Sequence, residues 1–108
     1  LADNEGVLRN DVKILENGPD AYFTTLPINK MVEAIKAKGA PAVVSLSAGA
    51  FLCNHVFYVA QNKFAGTKVR SGFVHVPLMD SQAPEFPGLP TMPLDQMVTA
   101  VRAMLEVL

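Results

Sequence analysis

Ala42-Val43-Val44-Ser45-Leu46-Ser47-Ala48-Gly49-Ala50-Phe51-Leu52-Cys53-Asn54-His55-Val56-Phe57-Tyr58 carries the fold in three short readings. Residues 42–46 are a nearly continuous apolar run, the pattern of a central parallel strand with helices on both faces. Residues 47–50 are small and suit a tight strand-to-helix turn. Residues 51–64 then predict a helix that is apolar nearly all round through Phe51, Leu52, Val56, Phe57, Val59 and Ala60, hence deeply buried. Cys53, the only cysteine of the chain, falls where that helix begins. The positive end of a helix dipole favours a thiolate, and a thiolate is a nucleophile.

Downstream, residues 68–76 read as a second strand, and Gly72-Phe73-Val74-His75-Val76-Pro77 places a histidine at its end. Strand, helix and strand in this order imply a right-handed crossover and a parallel pair within an α/β sheet. The C-terminal ends of parallel strands share one edge, and α/β sheets build their sites there. Neighbouring strands lie about 4.8 Å apart, so side chains from adjacent ends can meet. That predicts Cys53 and His75 side by side. In such a pair the histidine takes the thiol proton and returns it to a leaving group. The N–H of Cys53 would serve as an oxyanion donor, because first-turn N–H groups lack helical partners. The chemistry is that of a thiol hydrolase. Position alone leaves other readings open: a cysteine in an apolar helix as an inert core residue, and a histidine on an apolar strand as a satisfied core histidine. His55 is two residues from Cys53 and does not share its helix face, which makes it structural or a subunit contact.

The remaining elements follow from periodicity. Ile28, Met31, Val32 and Ile35 predict a helix over residues 26–38, with Pro27 in its first turn and Thr25 able to cap it. Gly39 and Pro41 end it. Residues 1–20 read as a loop with one short strand at 12–15. The prolines at 77, 84, 87, 90 and 93 predict an extended surface loop over 77–93 that no helix survives. Leu94, Met97, Val98, Val101, Leu105 and Leu108 predict a last helix over 94–108, whose methionines and leucines are core or interface.

At 108 residues, 50% of them hydrophobic and 18% charged, the chain is globular and at most one domain. A net charge of -1 gives no argument for nucleic acid or an anionic membrane. The opening is polar and acidic rather than a signal peptide. No apolar run approaches the roughly 20 residues of a membrane span. One cysteine makes no internal disulfide, which fits a reducing cytoplasm, and the residues show no metal-ligand spacing. With no methionine start and no apolar opening strand, the chain reads as beginning inside something longer.

Longer motifs then carry a resemblance. Ser47-Ala48-Gly49-x-Phe51-Leu52-Cys53-Asn54-His55-Val56-Phe57-Tyr58, followed by Gly72-Phe73-Val74-His75-Val76-Pro77, resembles pyroglutamyl peptidase type I, the pyrrolidone-carboxylate peptidases. Gly18-Pro19-x-Ala21-Tyr22-Phe23-x-Thr25-Leu26-Pro27-Ile28 is similar to the stretch preceding that family's cysteine, and Asp3-Asn4-Glu5-Gly6 resembles its Asp-Asn-Asp-Gly loop. The resemblance implies a cytoplasmic cysteine exopeptidase that removes N-terminal pyroglutamate from peptides, without metal or cofactor. Cys53 falls on the nucleophile and His75 on the base. Phe51 and Leu52 fall on residues lining the pyroglutamyl ring pocket, and Leu1 on a further apolar pocket position. The implied fold is part of a three-layer α/β/α sandwich with a mostly parallel sheet, in a protein that commonly forms homotetramers.

The resemblance also implies that residues 1–108 are the C-terminal half of a single peptidase domain. The family's catalytic glutamate lies in the N-terminal half, and Glu16, Glu33, Glu85 and Glu106 do not match it. The family arginine near the oxyanion site would immediately precede Leu1. Leu46 replaces the asparagine of the usual Ser-Asn-Ser-Ala-Gly, which removes a hydrogen-bonding group beside the turn. The implied partners are pyroglutamyl peptides and the missing N-terminal half. Two other readings stand beside this one: a non-catalytic α/β fragment or degenerate homologue with an assembly role, and a redox-sensing thiol.

Overall fold

Ile28, Met31, Val32 and Ile35 form one apolar stripe, and the chain coils there as α1, Ile28–Ala37. The computed structural model describes residues 2–8 and 10–108. Pro27 stands at the N-cap of α1, one place before the expected first turn, and no side chain caps the helix. Thr25 does not cap it because its hydroxyl is engaged elsewhere, donating to the Ser71 carbonyl at 3.2 Å and accepting from the Ser71 N–H at 2.7 Å. Gly39 ends the helix as expected. It takes φ +81°, and its N–H returns to the Lys36 carbonyl at 2.9 Å.

The other elements are α2, Leu52–Phe64; β1, Leu78–Met79; a 3₁₀ turn, Asp80–Gln82; β2, Thr91–Met92; and α3, Leu94–Glu106. The helices and the parallel strand pair make this an α/β chain, of the expected class. β1 and β2 pair with Leu78 opposite Thr91 and Met79 opposite Met92. The chain divides into two compact units, Leu1–Leu26 with Ser45–Phe73, and Pro27–Val44 with Val74–Leu108. In the second unit α1 packs against α3, and Met31, Ile35, Ala40, Met97, Ala103 and Met104 are buried. In the first unit Tyr58 and Gln61 of α2 are buried.

Several expectations fail, each for a physical reason. Residues 12–15, 42–46 and 68–76 carry no strand assignment. Val43 is 84% exposed and Leu46 fully so. A strand exists only where a neighbour accepts from its N–H groups and donates to its C=O groups, and none of these segments has such a ladder among the described residues. The parallel pair among the described residues is instead β1–β2, inside the segment expected to be an extended loop. Pro77 and Pro84 leave residues 78–83 free of proline, and Pro90 and Pro93 leave Thr91 and Met92 between them, so both stretches keep their donors.

The α2 helix forms where expected but is not deeply buried. Leu52, Val56 and Val59 lie open. Apolar residues all round a helix show that it wants cover on every side, and the first unit supplies cover on one. On α3 the buried face runs through Met97, Ala103 and Met104, while Leu94 and Leu105 are exposed, because α1 covers only one side; Leu108, expected on the same helix, lies past its end and is exposed.

Candidate functional site

The turn before α2 is built by its serines. The Ser45 hydroxyl donates to the Ser47 carbonyl at 2.8 Å, and the Ser47 hydroxyl accepts from the Gly49 N–H at 3.0 Å. Gly49 then takes φ +87°, a conformation that a residue with a Cβ adopts only at a cost. This reversal delivers Phe51 to the N-cap of α2, with φ −134°. The His55 N–H makes the first helical return to the Phe51 carbonyl at 3.2 Å. Cys53 is therefore the second residue of α2, as the sequence predicts, among first-turn N–H groups that have no partner within the helix. Its thiol is half-buried and not in a disulfide. Leu46, just before the turn, faces solvent entirely.

Phe51 and Leu52, expected at a ring pocket, are both exposed. Leu1, the further pocket position, lies outside the described residues. A cavity of the first unit, about 420 Å³, is lined among others by Pro19, Tyr22, Ser47, Ala48, Asn54 and Tyr58. It therefore touches the turn and the residue after Cys53, and not Phe51 or Leu52. His75 is exposed and lies shortly before β1, in the second unit. Cys53 belongs to the first unit. Among the described residues no group of three His, Cys, Asp or Glu side chains stands ready to hold a metal ion.

The cavity wall rests on a pair of side chains that periodicity does not single out. The chain has two tyrosines, Tyr22 and Tyr58. Their rings meet edge to face with centroids 5.0 Å apart, a favourable aromatic geometry. The Tyr58 hydroxyl donates to the Pro19 carbonyl at 2.6 Å, and Asn62 Nδ2 donates to the Tyr22 hydroxyl at 2.7 Å. The loop before α1 is thereby held against α2. Burial first, then Tyr22 and Asp20, raises the Tyr58 pKa above its ordinary value. The available signal was positional: each tyrosine sits in one of the two long motifs, Gly18–Ile28 and Ser47–Tyr58. Thr24 and Thr25 add a second tie through Ser71, the residue preceding Gly72 in the histidine motif.

The chain is 51% identical over 96 residues to a pyrrolidone-carboxylate peptidase of Aliivibrio fischeri, covering 89% of this chain and 45% of that protein. It is 46% identical over 106 residues to the pyrrolidone-carboxylate peptidase of Cupriavidus taiwanensis, covering 94% of this chain and 49% of that one. Among solved structures it is similar to pyroglutamyl peptidase I of Bacillus amyloliquefaciens, with a TM-score of 0.85 and 38% identity over 96% of this chain and 50% of that one. The chain thus spans about half the length of these relatives. The family model for pyroglutamyl peptidase matches residues 1–108. The chain belongs to the pyroglutamyl peptidase family.

Proposed function

We propose that this chain supplies the nucleophilic half of a cysteine exopeptidase that removes N-terminal pyroglutamate from peptides. One observation carries the reading. In a chain matched to the family from end to end, the only cysteine stands in the first turn of a helix, behind a serine-pinned glycine reversal. In this reading Cys53 Sγ attacks the carbonyl carbon of the pyroglutamyl residue, and the carbonyl oxygen takes the negative charge beside the Cys53 N–H. His75 holds the thiol proton and delivers it to the departing amine as the C–N bond breaks. Water, deprotonated by His75, then cleaves the thioester and restores the thiol. Phe51, Leu52 and Leu1 form one side of the ring pocket.

In the same reading residues 1–108 are the C-terminal half of one peptidase domain. The carboxylate that orients His75 comes from the other half, and the assembled enzyme acts in the cytoplasm as a homotetramer. Among the described residues no helix is long and apolar enough to cross a membrane.

The test is turnover of a fluorogenic pyroglutamyl amide by the chain made together with the other half of a relative. Activity is expected, with little release from the matching prolyl amide. A site that hydrogen-bonds a lactam rejects an analogue lacking its carbonyl by about 10³-fold or more. Cys53→Ser and His75→Ala should each lower turnover by about 10³-fold or more. Equal turnover by the His75→Ala protein would exclude the assigned base.

A further inference from the structure

The α2 helix has one side covered within its unit and an opposite, apolar side that is exposed. Successive helix residues turn by about 100°, so Asn54, Tyr58 and Gln61 share one side, and Leu52, Val56 and Val59 fall about 180° away. The first side is covered within its unit: Tyr58 is 7% exposed and Gln61 4%. The second is bare, with Leu52 62%, Val56 48% and Val59 39% exposed. Lys63 ends the row. The solvent face of α1 shows the contrast, since it carries Lys30, Glu33 and Lys36. A helix row that is wholly apolar over two turns is a surface built to be covered.

The length comparison says what covers it. The family model matches this chain from 1 to 108, yet the matched part is 45% of the Aliivibrio fischeri protein and 50% of the Bacillus amyloliquefaciens chain. In each relative, a stretch about as long as this whole chain lies outside the match. We propose that the Leu52–Val56–Val59 row of α2 is the docking surface for that other half of a pyroglutamyl peptidase polypeptide. A second copy of this chain would bring another bare row but none of the unmatched stretch. The inference rests on the fragment reading above, and its test reads binding rather than turnover, so the two can fail separately.

The chain is made in one cell with the part of the Aliivibrio fischeri protein outside the 96 matched residues, one of the two tagged. Native mass spectrometry of the purified material should show a one-to-one complex of the two known masses. Val56→Asp should lower its yield at least tenfold, while Val56→Leu and the α1 control Lys36→Glu leave it unchanged. A benzophenone side chain at position 59 gives a readout that does not depend on the charge substitution. On illumination it should cross-link to the counterpart half. No complex, a complex indifferent to Val56→Asp, or cross-links to a second copy of the chain would each overturn the proposal. A complex that forms but cleaves no pyroglutamyl amide would leave the docking surface standing and remove the catalytic reading.

Discussion

Tyr58 joins three properties of the first unit: a buried ring, a hydroxyl bonded to Pro19, and a raised pKa. Removing the hydroxyl in Tyr58→Phe should lower stability at neutral pH by the loss of its bond to Pro19, read by denaturant unfolding. The pH dependence has a definite sign. The native value is raised above the ordinary 10.0, so the protonated ring is the form that the fold favours. Its stabilisation is complete below about pH 10 and is lost as pH rises through the raised native value. Tyr58→Phe should therefore melt with a flatter alkaline limb than the parent; an unchanged limb would separate the shift from stability. Two glycines beside the site separate two causes of strain. A Cβ on Gly18 would collide with the Tyr58 hydroxyl and lie 3.1 Å from its Cζ, and the ring is held on both sides. Gly18→Ala should cost about 1–3 kcal/mol through overpacking. A Cβ on Gly49 would meet nothing within 4 Å, so its cost is the left-handed backbone alone, about 1 kcal/mol. If both variants melt alike, one of these two accounts is wrong.

At the scale of elements, the helices differ in how fully their units satisfy them. α1 and α3 cover each other, and Ile35 is buried between elements of the second unit. Ile35→Ala should cost about 2–5 kcal/mol, the range for a buried aliphatic truncation. On the bare row of α2 the same truncation removes little buried surface. Val59→Ala should change the stability of the isolated chain by no more than about 0.5 kcal/mol. A large loss at position 59 would mean that the row is already covered. Periodicity placed all three helices to within a few residues, because an apolar stripe and the Gly39 stop are local signals. The strands were not legible in the same way. Residues 42–46 have the composition of a central strand, but a ladder is a property of two segments, and 42–46 pairs with no strand among the described residues. The β1–β2 pair is not legible in the sequence because two residues are too short to show any period.

For the whole molecule, the leading observation is that a chain matched along its full length to a family spans about half of its members. The 108 residues by themselves should therefore show negligible release of pyroglutamate and a tendency to associate through exposed apolar side chains, seen by size exclusion and a pyroglutamyl-amide assay. A monodisperse, active chain would contradict the reading of half an enzyme. The sequence by itself determined the family, the three helices, and the place of Cys53 in the first turn of α2. Each depends on neighbours in the chain: a stripe of apolar side chains, a glycine reversal, a long motif. Only the tertiary structure decided that Tyr22 and Tyr58 lock a loop onto α2, that Thr25 ties to Ser71 instead of capping α1, and which faces of the helices remain bare. Those outcomes depend on which segments meet in space, and burial and hydrogen bonding are set by the partner a group finds rather than by its own character.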